Sequence, residues 1–391
     1  LQNTPESFAG LTGVTVRCGV EAKGLDAANK TVHAVDLASG EELSLGYDKL
    51  VIATGAEPIV PDMPGAGLPG VFCMRTPDDA VGLLSYVKAN GCRRAAVVGA
   101  GFIGLETAEN LMAQGLSVTV IDAAPQVMPN AFDPEMAEYV KRKLRQAGMR
   151  VQTGCRIEAV SGTARAEGIA TSAGPIAADV VVLAIGLRPA TAFLQGSGVD
   201  LQKRAVVVDE FMRTNVPDVY AAGDCALVKN MQTGRQQWSA MGSTANLAAR
   251  ALAKTLAGRP TAYGGCLGTG VVKLLQDLNV GRTGLTEAQA RQEGYDVQTA
   301  VCMTDDKAHY YPGAATFVTK LVADKATRRL LGIQVLGAGA VDKMVDIAVT
   351  GIAAGLTLDA FDTLDFAYAP PFSTAIHPFV QACYVLENKL A

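Results

Sequence analysis

Apolar residues follow two different periodicities along the chain, and the changes between them divide it into segments. Near the start, short apolar or alternating runs are separated by turn residues such as Ser39-Gly40. Runs of this kind are typical of strands. We therefore expect residues 12–60 to be rich in β-structure, with strands at 14–16, 31–37, 42–47 and 49–53.

From residue 95 the pattern alternates between apolar runs and amphipathic segments. Strands are predicted at 95–98, 117–122 and 179–185, and helices at 105–114 and 134–146. Strands that alternate with helices are typical of a parallel, doubly wound sheet.

The last third of the chain has a mixed pattern. A strand at 206–208 and a helix at 243–257 come first. The pattern of apolar positions over residues 267–391 then predicts an α+β unit. Its strands are expected near 271–275, 317–323 and 330–336, and its helices at 340–355 and 373–388.

The most specific chemical motif is GxGxxG, which lies between a predicted strand and a predicted helix. Gly99 permits the tight turn, Gly101 lets a pyrophosphate approach the backbone, and Gly104 lets helix and strand pack closely. The helix N-terminus offers free N–H groups to phosphates. Asp122 ends the next strand, where a carboxylate can bind both ribose hydroxyls. Because no Arg follows Asp122 closely, we expect NADH and not NADPH; alternatively, Asp122 merely ends the strand.

Composition narrows the class of protein. The 391 residues carry a net charge of −4 with no basic block, so we expect no nucleic-acid partner. No apolar run is long enough to span a bilayer, so no membrane partner is expected. The eight Cys are scattered without a CxxC pair or zinc-like spacing with His, which predicts reduced thiols, a cytoplasmic location and no metal site.

Further motifs resemble those of the FAD-dependent pyridine nucleotide–disulfide oxidoreductases. They are Thr54-Gly55, Gly-Leu-Arg-Pro at 186–189, and Thr-Asn-Val-Pro-Asp-Val-Tyr-Ala-Ala-Gly-Asp at 214–224. The resemblance implies that Asp224, which follows Gly223, binds the FAD ribityl chain. It also implies that the helix near residue 243 directs its N-terminus at the flavin. The cofactors implied are FAD and NADH, with further binding residues Thr54, Gly55, Glu106 and Gly186.

This resemblance also implies the fold class and the domain order. The class is α/β, with two Rossmann-like doubly wound domains, the first incomplete, and a C-terminal α+β dimerisation domain. The expected segments are 1–91 (part of the FAD-binding domain), 92–205 (NAD-binding), 206–266 (return to the FAD-binding domain) and 267–391 (dimerisation). The chain begins with Leu1 and is expected to start about 60 residues into the family pattern, after its first FAD-binding unit.

Two C-terminal motifs narrow the resemblance. Ala-His-Tyr-Tyr-Pro-Gly at 308–313 and Phe-Ala-Tyr-Ala-Pro-Pro-Phe-Ser at 366–373 are similar to those of coenzyme A–disulfide reductases, NADH-dependent persulfide reductases and NADH oxidases. In the reductases of this group, two tyrosines reach the partner's active site across a homodimer. Tyr310 and Tyr368 match them and are the implied catalytic residues, since a phenol can supply a proton to a leaving sulfur. Alternatively, both are ordinary interface residues.

The predicted function is a flavin-dependent oxidoreductase that passes electrons from NADH through FAD to a disulfide, persulfide or polysulfide, such as coenzyme A disulfide. The alternatives are an NADH oxidase or peroxidase that reduces O2 or H2O2, and a non-catalytic nucleotide-binding remnant. None of the eight Cys matches the family's redox Cys, and Cys225 is interpreted as structural. The chain has Ile376-His377-Pro378 where coenzyme A–using relatives carry Lys and then Asp-Pro, so use of coenzyme A stays open.

Overall fold

A computed structural model describes residues 4–390. The first stretch is a capped helix, an antiparallel meander of three strands and a short strand that pairs elsewhere. The elements are α1 (Pro5–Thr12), β1 (Val20–Asp26), β2 (Thr31–Asp36), β3 (Glu42–Gly46) and β4 (Leu50–Ile52).

The second stretch contains a parallel five-stranded sheet. Its strand order is β6-β13-β7-β8-β9, and one helix each connects β6 to β7, β7 to β8 and β8 to β9. A small antiparallel meander, β10-β11-β12, lies before β13 in the chain. The elements are β5 (Ala56–Pro58), β6 (Val71–Cys73), α2 (Pro77–Ala89), β7 (Arg94–Val98), α3 (Phe102–Ala113), β8 (Ser117–Asp122), α4 (Pro134–Gln146), β9 (Arg150–Thr153), β10 (Ile157–Ser161), β11 (Gly168–Thr171), β12 (Ile176–Ala177), β13 (Val180–Leu183) and β14 (Leu187–Pro189).

The third stretch supplies short strands and one long helix. Strand β17 runs parallel to β4, so residues that are more than 160 positions apart form one small sheet. After a 3-10 turn at Ala192–Leu194, the elements are β15 (Leu201–Gln202), β16 (Ala205–Val206), β17 (Val219–Ala221), β18 (Leu227–Lys229), β19 (Gln236–Trp238) and α5 (Gly242–Leu256).

The fourth stretch is an antiparallel five-stranded sheet with helices. The strand order is β20-β21-β24-β23-β22. The elements are β20 (Gly270–Leu275), β21 (Leu278–Gly284), α6 (Glu287–Gln292), β22 (Val297–Asp305), β23 (Thr316–Asp324), β24 (Leu330–Gly337), α7 (Val341–Ala354), α8 (Leu358–Phe361) and α9 (Pro378–Glu387).

The antiparallel sheet is covered on both faces, because its side chains alternate between two cores. Val280, Val318 and Leu336 pack in one core with apolar residues of α3 and α4. Their neighbours along the strands, Leu321 and Val335 among them, pack in a second core with α7 and α9. Strands β23 and β24 are accordingly buried almost throughout, although they are antiparallel.

The chain separates into two compact units. One contains the residues through Ala56, Pro189–Lys229 and Gln236–Gly265; the other contains Glu57–Arg188, Asn230–Arg235 and the residues from Cys266 onward. The α/β fold class and most predicted elements are confirmed. Within the described chain, no helix combines the length and the apolar character needed to cross a bilayer.

Two predicted elements are wrong in whole or in part. Residues 14–16 form no strand; Val14 and Val16 are 51% and 38% exposed and pair with no neighbouring strand. The helix predicted from residue 373 begins at Pro378, with His377 as its N-cap. Proline lacks an N–H and has a fixed φ, so it suits the first helical position.

Candidate functional site

The turn between β7 and α3 places three glycines in positions that need glycine for different reasons. Gly99 has φ 107°, and a Cβ there would overlap the carbonyl of Ala184. A Cβ on Gly104 would overlap the Gly99 carbonyl, whereas one on Gly101 would meet only open space. The space above Gly101 is therefore free for a ligand that approaches the backbone.

Helix α3 begins at this turn without a side-chain cap. Its N-cap is Gly101, which provides no hydrogen bond to the amides of the first turn. The first amides of a helix have no partner within the helix and carry a partial positive charge. They suit a phosphate group, and with the space above Gly101 they fit a dinucleotide.

Asp122 lies at the end of β8 and joins two loops. Its Oδ2 accepts a hydrogen bond from the Ala100 N–H at 2.7 Å, and its Oδ1 accepts one from the Ala124 N–H at 2.8 Å. The residue is only half-buried, so both oxygens keep lone pairs for hydroxyl donors. The structure thus brings Asp122 to the glycine turn, where the sequence predicts that it binds ribose.

The loop between Asp122 and α4 supports this turn and was not predicted from the sequence. Met128 is buried with φ 49°, and its N–H donates to the Ala100 carbonyl at 2.8 Å. The Gln126 side chain closes the loop by donating to the Phe132 carbonyl at 2.8 Å. The loop has no apolar periodicity, so the sequence carried no signal for it.

Glu106 lies one turn along α3 and lines a cavity of about 490 Å³. Ile103 of α3 and Leu84 of α2 also line this cavity. Gly186, with φ 127°, follows β13 and accepts a hydrogen bond from the Ile59 N–H at 3.0 Å. These two predicted binding residues therefore lie next to different parts of the parallel sheet.

In the first compact unit, β4 and β17 carry the residues predicted to bind flavin. Gly55, Gly223 and Asp224 line a second cavity of about 490 Å³, together with Ala245 of α5. Thr54 is not among the residues that line this cavity; its hydroxyl donates to the Ala190 carbonyl at 2.8 Å. Gly223 has φ 82°, a value that favours glycine, and lets the chain turn before Asp224. A carboxylate beside two glycine turns fits the polar chain of FAD.

Cys225 lies directly behind this turn as a buried thiol. Its Sγ is 3.4 Å from the carbonyl oxygens of Ile52 and Ala222, and burial raises the pKa of the thiol. A thiol that is held protonated is a poor nucleophile. The position fits the structural role predicted for Cys225.

Tyr310 and Tyr368 lie next to each other at an exposed surface. Their exposed fractions are 76% and 52%, and the nearby charge and hydrogen bond of Tyr368 raise the pKa of Tyr310. The two loops are joined by a hydrogen bond from the Ala308 N–H to the Pro370 carbonyl at 3.3 Å. Two phenols in one cluster can hold a proton for a ligand that reaches them.

His377 is the N-cap residue of α9. Its Nδ1 accepts from the Phe379 N–H at 3.2 Å, and its ring stacks near Phe366 with centroids 4.9 Å apart. Burial, helped by Lys343, lowers the pKa of His377 to about 4. The histidine therefore caps α9 in its neutral form.

All eight cysteines are free. Among residues 4–390, no group of three or more His, Cys, Asp or Glu side chains is arranged to hold a metal ion.

Comparisons with known proteins agree on one family. Residues 5–245 match the family model of the pyridine nucleotide-disulphide oxidoreductases. Residues 273–379 match the dimerisation domain of the same family, so the C-terminal part is a dimerisation domain.

Individual relatives cover nearly the whole chain. An NAD(P)H sulfur oxidoreductase (CoA-dependent) of Pyrococcus furiosus is 36% identical over 98% of this chain and 85% of its own length. An NADH oxidase of Methanocaldococcus jannaschii is 32% identical, covering 100% of this chain and 87% of its own. The structure of an NAD-dependent persulfide reductase from A. fulgidus has a TM-score of 0.94 at 34% identity, covering 99% of this chain and 71% of that one.

Proposed function

Because the chain belongs to the pyridine nucleotide-disulphide oxidoreductase family, an FAD- and NAD(P)H-dependent class of enzymes, we propose that it passes electrons from NADH to a disulfide, persulfide or polysulfide. The observation that carries the proposal is the glycine turn at 99–104 with Asp122 hydrogen-bonded to it. Family membership favours an enzyme over a non-catalytic remnant.

In this proposal, the nucleotide binds at the turn through backbone and carboxylate groups. The first amides of α3 hold the pyrophosphate, which approaches over Gly101. Asp122 accepts hydrogen bonds from the adenosine ribose hydroxyls. Its negative charge would repel a 2′-phosphate, and Ala123 and Ala124 offer no cation to offset it, which supports NADH over NADPH.

The flavin would be held by the first compact unit. Asp224 would bind its polyol chain, Gly55 and Gly223 would give close backbone approach, and the N-terminus of α5 would offer unpaired amides. FAD held there would supply the redox chemistry that links NADH to the sulfur acceptor. The chain itself supplies position and electrostatics.

The tyrosine pair would supply a proton to the electron acceptor. Tyr368 raises the pKa of Tyr310, so the Tyr310 phenol stays protonated near neutral pH. A phenol Oη–H can hydrogen-bond a thiolate and supply a proton to a departing sulfur. We propose that the protein acts as a homodimer in the cytoplasm, with the pair serving the partner's acceptor site.

A second candidate is NADH oxidase, which reduces O2. The name of the M. jannaschii relative favours it, and the nucleotide site would be the same. The two candidates differ in the acceptor and in their need for a proton at sulfur.

One rapid-mixing experiment separates the candidates. The protein, loaded with FAD and reduced anaerobically by NADH, is mixed with polysulfide, coenzyme A disulfide, H2O2 or O2, and flavin reoxidation is followed near ~450 nm. We expect a sulfur compound to react fastest. In Tyr368→Phe, reoxidation by that compound should slow about 100-fold, since general acids contribute on the order of 100-fold or more.

The control is Tyr384→Phe, which removes a phenol hydroxyl from α9, outside the pair. It should leave both half-reactions unchanged. Faster reaction with O2 than with every sulfur compound would favour the oxidase. Equal slowing of flavin reduction and reoxidation in Tyr368→Phe would remove the role assigned to the tyrosines.

A further inference from the structure

A row of polar side chains crosses the apolar antiparallel sheet of the dimerisation domain. Arg282 of β21 lies directly opposite Gln334 of β24, which lies opposite Lys320 of β23. All three are buried, with exposed fractions of 8%, 1% and 0%. Their neighbours on the same face belong to the core shared with α3 and α4. The row therefore points toward the nucleotide-binding sheet.

The row meets Asp133, the N-cap of α4. The Asp133 N–H donates to Gln334 Oε1 at 2.7 Å, and Gln334 Nε2 donates to Asp133 Oδ2 at 2.5 Å. Lys320 Nζ lies 3.0 Å from the same Oδ2, and the Glu287 N–H donates to it at 3.0 Å. Asp133 is only 4% exposed, so these contacts fix both its backbone and its side chain.

Carboxylates surround the Lys320 ammonium at this contact. Lys320 also pairs with Glu135 and with Glu287, the latter at 2.8 Å, and Glu287 is held by Arg291 at 2.8 Å. Burial opposes the charge on Lys320, but these carboxylates outweigh it and raise its pKa. Removing one member of such a buried network leaves another charge unpaired and is costly.

From Asp133, the contacts continue to the nucleotide turn. Asp133 ends the loop that starts after Asp122, and within it Met128 donates to the Ala100 carbonyl at 2.8 Å. Ala100 in turn donates to Asp122 Oδ2 at 2.7 Å. The loop is thus anchored at one end by the carboxylate that faces the ribose and at the other by Gln334.

We propose that Gln334 and Lys320 of the dimerisation domain are positioning residues for NADH, because they fix Asp133 and so hold the 123–133 loop against the glycine turn. The proposal rests on the proposed nucleotide site at Asp122. It assigns to the dimerisation domain a role in setting the affinity for the adenosine half of the cofactor.

The test is the affinity of the full chain for NADH and for ADP-ribose, measured by calorimetry. Gln334→Met keeps the length of the side chain and removes both hydrogen bonds to Asp133. We expect the Kd for each ligand to rise about tenfold. In turnover assays, KM for NADH should rise by a similar factor while kcat at saturating NADH stays unchanged, because the nicotinamide end is not displaced.

The matched control is Thr319→Val. Thr319 is equally buried, precedes Lys320 on β23, faces the other core, and its Oγ1 has no hydrogen-bond partner within residues 4–390. The Thr319→Val variant should bind NADH with the same Kd as the unaltered chain. A milder second variant, Asp133→Asn, removes the charge that faces Lys320 and should raise the Kd for NADH about threefold.

The outcomes separate the two proposals. If the unaltered chain binds neither NADH nor ADP-ribose, the proposed nucleotide site fails. If it binds both, and folded Gln334→Met or folded Asp133→Asn binds them equally well, only the positioning role is overturned. A fall in kcat without a change in KM would also overturn it.

Discussion

Two strands of this molecule end in the same kind of turn but have different surroundings. β13 leads into Ala-Ile-Gly at 184–186, and β4 leads into Ala-Thr-Gly at 53–55. β13 has parallel partners on both sides, β6 and β7, and Val182 is completely buried. Within the described chain β4 pairs with β17 alone, and Val51, at the matching position, is 41% exposed.

The two candidate cofactor sites also differ in how far apart their residues lie in the sequence. Every part of the candidate nucleotide site, from the glycine turn to Asp122 and its supporting loop, lies on consecutive elements of one sheet. Thr54 and Asp224, which are predicted to bind flavin, come from segments that are distant in sequence. The residues predicted to contact the nucleotide are therefore close in sequence, although Gln334 supports their loop from a distance, whereas the residues predicted to contact flavin come together only through a long-range strand pairing.

The largest expected effect tests whether the nucleotide turn is the more tightly constrained of the two. Gly99→Ala would place a Cβ against the Ala184 backbone at φ 107°, so we expect a loss of about 4 kcal/mol in unfolding free energy. Gly223→Ala at φ 82° meets only the Ala245 side chain at 3.8 Å and should cost about 1 kcal/mol. Denaturant unfolding measures both. Equal losses of unfolding free energy in Gly99→Ala and Gly223→Ala would contradict this difference between the two turns.

A smaller effect concerns the carboxylate that is predicted to bind the cofactor in each compact unit, Asp122 in one and Asp224 in the other. Asp122→Arg removes the acceptor of two backbone N–H groups and of the ribose, so NADH affinity should fall about 30-fold, or ~2 kcal/mol, and NADPH should bind more tightly than before. Asp224→Asn should leave the NADH affinity unchanged. Fluorescence titration gives both constants. Unchanged affinity of Asp122→Arg for the two nucleotides would contradict the assignment.

The smallest effect is a pH dependence of stability that comes from Asp179. This residue directly precedes β13, at the end of the strand opposite its glycine turn. The Arg94 side chain, together with the N–H groups of Arg93 and Arg94, lowers the pKa of Asp179 to about 2. The stabilisation is therefore complete above about pH 4 and is lost as the pH falls toward 2. Allowing for solvent screening, Asp179→Asn should cost about 1 kcal/mol at pH 7, and the difference should shrink in acid.

The matching acid in the other unit is Asp218, before β17. Its pKa is lowered by Lys30, which is 2.6 Å away, but the pair is open to solvent. Asp218→Asn should therefore change stability less than Asp179→Asn. Urea unfolding between pH 7 and pH 3 compares the two variants, and a gap for Asp179→Asn that widens in acid would refute the linkage.

The sequence predicted best what is periodic and local. The fold class and the strand–turn–helix at 94–113 are confirmed, because apolar runs and glycines report directly on local conformation. Helix α2 was missed, although Thr76 and Asp79 form a capping box. The row of Arg282, Gln334 and Lys320 was also missed, since only strand register brings these residues together. The four-segment division and the assigned roles of the site residues stay predictions.

The two-sided burial of the antiparallel sheet constrains how this domain can change in length. Successive residues of β24 belong to opposite cores, so the insertion of one residue would turn Gln334 toward α7 and α9 and its apolar neighbours toward Asp133. Related chains should therefore gain or lose residues in the turns, such as the 306–315 loop between β22 and β23 that carries Tyr310, and keep the strands at constant length. Variation in length would then concentrate beside the tyrosines and leave the contact with the nucleotide loop intact.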